Sequence, residues 1–402
     1  MLSVFFQAVG FIPGIDTQPN FILLFLVFLP LMCNHLIISV RSLLVVCVLV
    51  CILLLAFFFH ADNITLKTAL TYLAPIAIAF AIFTLMSSGY FTLSSKFLIF
   101  VVIVYLLAGI GQFVKPDFLS FLVTRSVDAA LSFSESGRGV RSLTGEPAHF
   151  GKILIIINVF FVLVYAVEKN FIFSRHDVNY IMWISFLLFV ANLLVPRSFY
   201  SAFNHFLVWF FLTLFLKPRL AFGILLCLLF VGLYLGASIF IYESDVRLLN
   251  ILKYMLYEPQ RLLEFGAFRR VMNIPLTFYN LSYFGPFGAG DSGFSTYASF
   301  QTPLGELRYN VFGRLYGGVL EYLLKFGVFS LPVVGCVIYF MFSSFKFKVS
   351  INGRVKKLGL WLFCALFLVL FQDGAPAKPL PIFLLIFTFF MLSFRRSKGE
   401  TV

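Results

Sequence analysis

Charged side chains are scarce in this sequence: only 12% of its 402 residues are Asp, Glu, Lys or Arg. Soluble domains carry about 25% charged residues, so this chain lacks the polar surface that a soluble domain needs. Instead, 61% of the residues are hydrophobic. Apolar runs of about 17–25 residues, the length that crosses a hydrocarbon core, recur from end to end. The sequence therefore predicts an all-α, polytopic transmembrane protein.

Paired cysteines and clustered acidic residues are also missing. All the cysteines lie inside apolar runs, and no CxxC pair occurs among them, which excludes a disulfide framework and a zinc site of that kind. No aspartate-rich cluster that would hold Mg²⁺ is present. We therefore expect neither a metal nor a cofactor. Met1–Phe11 is apolar but has no basic segment before it and no small-residue cleavage site after it, so we expect no cleavable signal peptide.

We expect about 11 or 12 spans in a single membrane domain covering residues 1–402. Met1–Phe11 is either a short additional span or an interfacial segment. The predicted spans are 21–40, 43–59, 69–86, 97–114, 151–167, 179–195, 199–216, 220–241, 313–341, 358–372 and 380–394.

Basic residues predict the orientation of the chain. The segment FRRSKGE follows the last predicted span, and KFKVSINGRVKK lies two spans earlier, so both are expected in the cytoplasm. Counting back places 168–176 and 217–219 in the cytoplasm too. The two longest loops, 115–150 and 242–312, are then extracytoplasmic, and the net charge of +13 reflects membrane orientation rather than nucleic-acid binding. Leucines at helical intervals after position 247 predict amphipathic helices in the second loop.

The stretch GRGVRSLTGEPAHFG, residues 137–151, places two arginines between two apolar runs. Its glycines predict an irregular loop and allow the backbone to approach a ligand closely. Pro147 predicts the start of the next helix, whose first amide groups would be free and partly positive. We therefore expect Arg141, these amides and Lys152 to hold an anion, with Arg138 nearby.

Two groups in this stretch are able to transfer a proton, Glu146 and His149. The alternative is a solvated loop whose charges face lipid headgroups. Ionisable groups at a membrane boundary are costly in free energy, which favours a functional site. Two further histidines, His35 and His205, lie within predicted spans, where we expect structural roles.

The second long loop and the start of the next span are rich in arginine, which suits bidentate contacts with phosphate. Aromatic residues are also plentiful there and suit either sugar rings or the membrane interface. Acidic residues in the same loop predict that some of these cations form ion pairs. The basic residues are Arg247, Lys253, Arg261, Arg269, Arg270, Arg308 and Arg314.

Three short motifs resemble the O-antigen polymerase family of polysaccharide polymerases. The first is Arg141 followed by Glu146–Pro147 and Phe150–Gly151, with Ala148 where the family commonly has Ser. The second is YFGPFGAG at 283–290, and the third is GGVLEYLLKFGVFSLPVVG at 317–335. Their order, and the two large outside loops, are similar to the family's arrangement.

The resemblance implies a metal-independent glycosyltransferase in the bacterial inner membrane with its site on the periplasmic side. Such an enzyme transfers a growing glycan from one undecaprenyl-pyrophosphate carrier to the terminal sugar of another lipid-linked repeat unit. Its partners would be these two substrates, membrane lipid and a chain-length regulator protein, without nucleic acid.

The same resemblance implies roles for individual residues. Arg141 and Arg138 would bind the pyrophosphate, and Glu146 would act as the base or orient an arginine, with His149 as the other candidate base. A further set would contact the substrates: Lys152, Arg269, Arg270, Arg308 and Arg314.

Four other functions stay open. An O-antigen ligase would transfer finished polymer to lipid A core, and a functional histidine would be expected in its large loop, yet 242–312 contains none. A cell-wall glycan polymerase would need a carboxylate there, for which Asp291 is the candidate. A transporter or flippase would be expected to have paired spans that carry charged residues, or are interrupted by Gly or Pro, near the midplane of the bilayer. The last alternative is a structural membrane scaffold.

Overall fold

The structure is a computed structural model. It describes residues 51, 54–55, 58, 94–123, 139–144, 147–169, 172–239, 285–288, 297–302, 305–310, 323, 325–332, 358–359, 361–362 and 364–365. The predicted spans 21–40, 69–86 and 380–394 and the predicted amphipathic helices of the second loop lie outside these residues.

Five long helices form the described part of the chain. They are α1 Ser95–Val114, α2 Pro147–Glu168, α3 Arg175–Leu194, α4 Phe199–Leu216 and α5 Pro218–Ile239. Their bounds agree within a few residues with five predicted spans, so the prediction that those segments are helical is confirmed. Within the described residues, α1, α2 and α3 are long and apolar enough to cross a membrane.

Local sequence explains where these helices begin. Ser94 caps α1 by accepting a hydrogen bond from the Phe97 amide at 3.3 Å. Ser174 and Asp177 form a reciprocal capping box at the start of α3. Pro147 and Pro218 open α2 and α5, because a proline costs no hydrogen bond at a first helical position. Pro218 also ends α4 just before it, since proline cannot continue the preceding helix.

A β-hairpin lies within the second predicted loop. Strands β1 Tyr297–Thr302 and β2 Gly305–Asn310 pair antiparallel, with Thr302 opposite Gly305 at the turn. The all-α prediction did not include this hairpin. Pro303 and Gly305 are turn-forming residues between two short segments of mixed polarity, a pattern too brief to stand out beside long apolar runs.

Helix α2 is the centre of the bundle. From Phe150 to Ala166 nearly every side chain is buried, as expected for a helix that is apolar all round. Helices α1, α3 and α4 pack against it. Helix α1 buries Leu98, Val101 and Tyr105 while its opposite face leaves apolar side chains exposed.

A late segment joins this core. Leu358, Trp361, Leu362 and Ala365 are buried in the same cluster as α2, and their spacing places them on one face of a helix. The Trp361 indole donates a 2.9 Å hydrogen bond to the Val208 carbonyl of α4. The predicted span 358–372 is therefore helical at its start and packs against α4.

Polar contacts join the helices at one end of the bundle. The Glu168 carboxylate accepts hydrogen bonds from the Ser95 amide at 2.9 Å and the Ser95 hydroxyl at 2.7 Å. The Lys217 ammonium donates to the Asn179 amide oxygen at 2.6 Å. This end contains residues 172–176 and 217–219, which the sequence predicts to be cytoplasmic.

Candidate functional site

The opposite end of the bundle contains the buried loop 139–144. We call it the loop end; it also includes the last turn of α1, the first turn of α2 and the turn 195–198. Gln112 of α1 holds the loop through both backbone groups of Ser142, donating to its carbonyl at 3.0 Å and accepting from its amide at 2.8 Å. The Ser142 hydroxyl donates to the Tyr105 carbonyl at 2.6 Å. These contacts fix the loop on α1.

Gly139 is required by this packing. Its φ of +80° lies in the left-handed region, and a β-carbon there would overlap the Pro196 carbonyl oxygen. The next amide, Val140 N–H, donates to the Val195 carbonyl at 3.3 Å. The close approach that we predicted toward a ligand is therefore, at Gly139, an approach to the protein's own backbone.

Arg141 is buried within the loop. Its side chain is 1% exposed and is the largest of the fully buried side chains in the described residues. The Thr144 amide and hydroxyl both donate to the Arg141 carbonyl, at 3.1 and 2.6 Å. Residues 141–144 therefore form a tight turn. Removing a guanidinium from water costs several kcal/mol, so its position calls for negative charge nearby.

The first two turns of α2 contain two more sequence-predicted residues. The helix begins at Pro147, as the sequence predicts. His149 is half-buried, and Lys152 is 9% exposed. Phe150, between them, stacks on Tyr105 with ring centroids 5.8 Å apart. The loop end thus contains Arg141, His149 and Lys152 together with the first turn of α2.

Of the other predicted site residues, the structure describes only Arg308. Arg308 lies on β2 opposite Ser299 in the register of the hairpin. The remaining ones lie outside the described residues: Arg138, Glu146, Arg269, Arg270 and Arg314.

One cation at the loop end was not singled out from the sequence. The Arg197 guanidinium lies 5.0 Å from the centroid of the Phe113 ring, and its Nε donates to the Leu194 carbonyl at 3.3 Å. It follows Pro196 at the junction of two predicted spans. That position, a basic residue in a tight turn between two predicted spans, was the signal in the sequence.

A buried polar network lies below the loop end and links α2, α3 and α4. The imidazole of His205 lies between two amides: Asn158 Nδ2 is 3.0 Å from its Nε2, and Asn192 Nδ2 is 3.0 Å from its Nδ1. Ser185 is 2.8 Å from Asn158 Oδ1, and Ser201 donates to Asn192 Oδ1 at 3.0 Å. All five side chains are buried. Sequence reasoning missed the network, although polar residues within apolar runs were its signal.

The hydrogen-bond partners determine the tautomer of His205. Asn192 Nδ2 also donates to the Gly151 carbonyl at 3.0 Å, so this nitrogen is a donor and the His205 Nδ1 it faces is an acceptor. The ring proton is then on Nε2. An Nε2–H donor needs an acceptor, so we assign the Asn158 amide with its oxygen toward His205 and its nitrogen toward Ser185, which exchanges the two atoms named in the distances above. His205 is therefore a neutral structural histidine with both nitrogens occupied.

The second and third motifs contact each other. The Val328 amide donates to the Pro286 carbonyl at 2.8 Å, and the rings of Phe287 and Phe329 lie 5.9 Å apart. Val328 lies in the short 3-10 helix Gly327–Ser330, so the glycine-rich turn packs where the backbone departs from regular α-helix. These two motifs form one local unit.

Comparisons with known proteins add no relative: no family model, no curated protein and no solved structure matches the chain. The resemblance to the polymerase family rests on the three motifs, their order and the two large loops predicted from the sequence. Among the described residues, no group of three or more His, Cys, Asp or Glu side chains is placed to hold a metal ion.

Proposed function

We propose that this protein is a polysaccharide polymerase of the bacterial inner membrane that uses undecaprenyl-pyrophosphate-linked glycans as donor and acceptor. The observation that carries the proposal is Arg141. It is buried in the loop 139–144, which precedes α2 in the chain, and Lys152 is buried in the second turn of that helix. In a chain with so little charge, two cations at one end of the bundle support the binding of an anion there.

The chemistry needs positive charge that is fixed in advance. As the glycosidic bond to the carrier breaks, negative charge develops on the pyrophosphate leaving group. Donors aimed at that charge lower the barrier most when water is excluded, as it is around Arg141. A guanidinium suits a bidentate phosphate contact, and the positive end of the α2 dipole would add to it. His149 and Glu146 are the candidate bases for the acceptor hydroxyl.

The distribution of charge favours an enzyme over a transporter. Among the described residues, the buried charged side chains lie toward the ends of the bundle: Arg141 and Lys152 at one, Asp177 at the other. The polar side chains deeper in the bundle are neutral amides, hydroxyls and His205. A coupled transporter would be expected to place ionisable groups near the midplane.

Deletion of the gene in its native host tests the proposal. The surface glycans and the lipid-linked glycans would be separated on a gel. We expect the surface product to be reduced to a single repeat unit. Full-length polymer held on its lipid carrier would instead make the protein a ligase. Full-length polymer reaching the surface normally would overturn the proposal.

Substitution of Arg141 tests the site in the complemented strain. Arg141→Ala at normal expression is expected to abolish long polymer, and Arg141→Lys to restore it only partly, because an ammonium lacks the bidentate fork. Arg219→Ala is the matched control, since that arginine is exposed at the opposite end. Unchanged polymer length in Arg141→Ala would remove Arg141 from the mechanism.

A further inference from the structure

The three helices α2, α3 and α4 approach one another closely at Gly151. A β-carbon on Gly151 would overlap the Ser201 hydroxyl of α4 and would lie 2.6 Å from Asn192 Oδ1 of α3. Gly151 lies between His149 and Lys152 on α2. At Gly151, which has no side chain, the polar network of His205 therefore contacts the first turns of α2, which carry His149 and Lys152.

Asn192 is held in a single orientation there. Its amide nitrogen contacts the Gly151 carbonyl at 3.0 Å and His205 Nδ1 at 3.0 Å, and lies 3.4 Å from the Ser201 carbonyl. Its amide oxygen accepts from the Ser201 hydroxyl at 3.0 Å. Both halves of the amide are thus occupied, and a rotation of α2 about its axis would break the contact with Gly151.

We propose that Asn192, oriented by His205, is a positioning residue that sets the rotation of the first turns of α2 and so the places of His149 and Lys152. This inference rests on the proposed function for its catalytic consequence. A misplacement of about 1 Å in a catalytic group can lower a rate about 100-fold. A network that served only to hold helices together would instead lose a similar, small amount of stability and activity whichever hydrogen bond was lost.

Two substitutions at His205 separate positioning from simple helix association. In His205→Asn the shorter side chain places an amide oxygen near the position of Nδ1, which keeps the acceptor for Asn192 and loses the contact with Asn158. In His205→Gln the longer side chain reaches the position of Nε2, which keeps Asn158 and loses Asn192. Each variant loses one hydrogen bond, so their thermal stabilities in detergent should be similar.

Polymer formation should distinguish the pair. We expect His205→Gln to lower the rate of polymer formation by about tenfold or more, and His205→Asn to retain most of it. Ser185→Ala, which removes a network hydroxyl next to Asn158, should behave like wild type. Equal losses in both His205 variants, or the greater loss in His205→Asn, would overturn the proposal.

A second measurement does not depend on activity. Ala148 is half-buried on the first turn of α2. In a chain whose native cysteines are replaced by alanine, the rate at which the thiol of Ala148→Cys reacts with a maleimide reports the position of that turn. We expect that rate to change several-fold with His205→Gln and to stay constant with His205→Asn. Equal rates in both would overturn the proposal, whereas the expected change in a protein that forms no polymer would overturn only the proposed function.

Discussion

At the scale of single residues, Gly139 offers a sharp test of the loop. Gly139→Ala would force an alanine to φ +80° and overlap the Pro196 carbonyl. Strain of this kind costs about 1–3 kcal/mol, so we expect a lower unfolding temperature in detergent and loss of polymer.

Gly223→Ala is the control for Gly139→Ala. Gly223 lies in α5 with nothing near its β-position, so alanine there should stabilise the helix by about 0.5–1 kcal/mol. Equal stability in the two variants would contradict the described loop.

The sequence singled out some residues of the candidate site and not their neighbours. Arg141, His149 and Lys152 were identifiable because charge is rare in this chain and Pro147 marks a helix start. The pairing of Gln112 with Ser142 joins residues 30 positions apart, and no local pattern encodes such a contact. The roles of Gly139 and Asn192 depend in the same way on which helices meet, which is a property of packing.

At the scale of helices, the Glu168 carboxylate joins the end of α2 to the start of α1. The carboxylate accepts hydrogen bonds from the amide and the hydroxyl of Ser95, whose side chain is buried. Glu168→Ala leaves both donors without this acceptor, so we expect a loss of about 1–2 kcal/mol in unfolding free energy. Glu168→Gln keeps an acceptor and should lose less. Chemical unfolding in detergent followed by tryptophan fluorescence measures both; no loss in Glu168→Ala would show that the contact does not stabilise the bundle.

Helix bounds were the most predictable feature of the fold. Long apolar runs and the flanking Ser174, Pro147 and Pro218 define them locally, and the described helices agree with the predicted spans within a few residues. The hairpin β1–β2 was missed because each strand has only six residues. The contact of Pro286 with Val328 could not be predicted for another reason, because it joins two motifs that lie far apart in the chain.

At the scale of the whole molecule, the orientation in the membrane is the prediction with the widest consequence. Phe121 at the loop end and Ile172 at the opposite end are 79% and 75% exposed, so the protein itself does not cover a cysteine at either position. In a cysteine-free background, we expect Phe121→Cys to react with an impermeant maleimide in cells whose outer membrane alone is permeabilised. Ile172→Cys should react only after the inner membrane is opened. The reverse pattern would place Arg141 in the cytoplasm, away from the proposed substrate.

The hydrogen bond from Trp361 to Val208 sets an order of events during synthesis. The donor is made 153 residues after its acceptor, so α4 is synthesised well before the ribosome reaches Trp361. Until then the face of α4 that Trp361 covers is open to lipid or to a chaperone. The bundle therefore closes late, and a ribosome-stalled or truncated chain ending before Trp361 should be recognised as incomplete and degraded by membrane proteases.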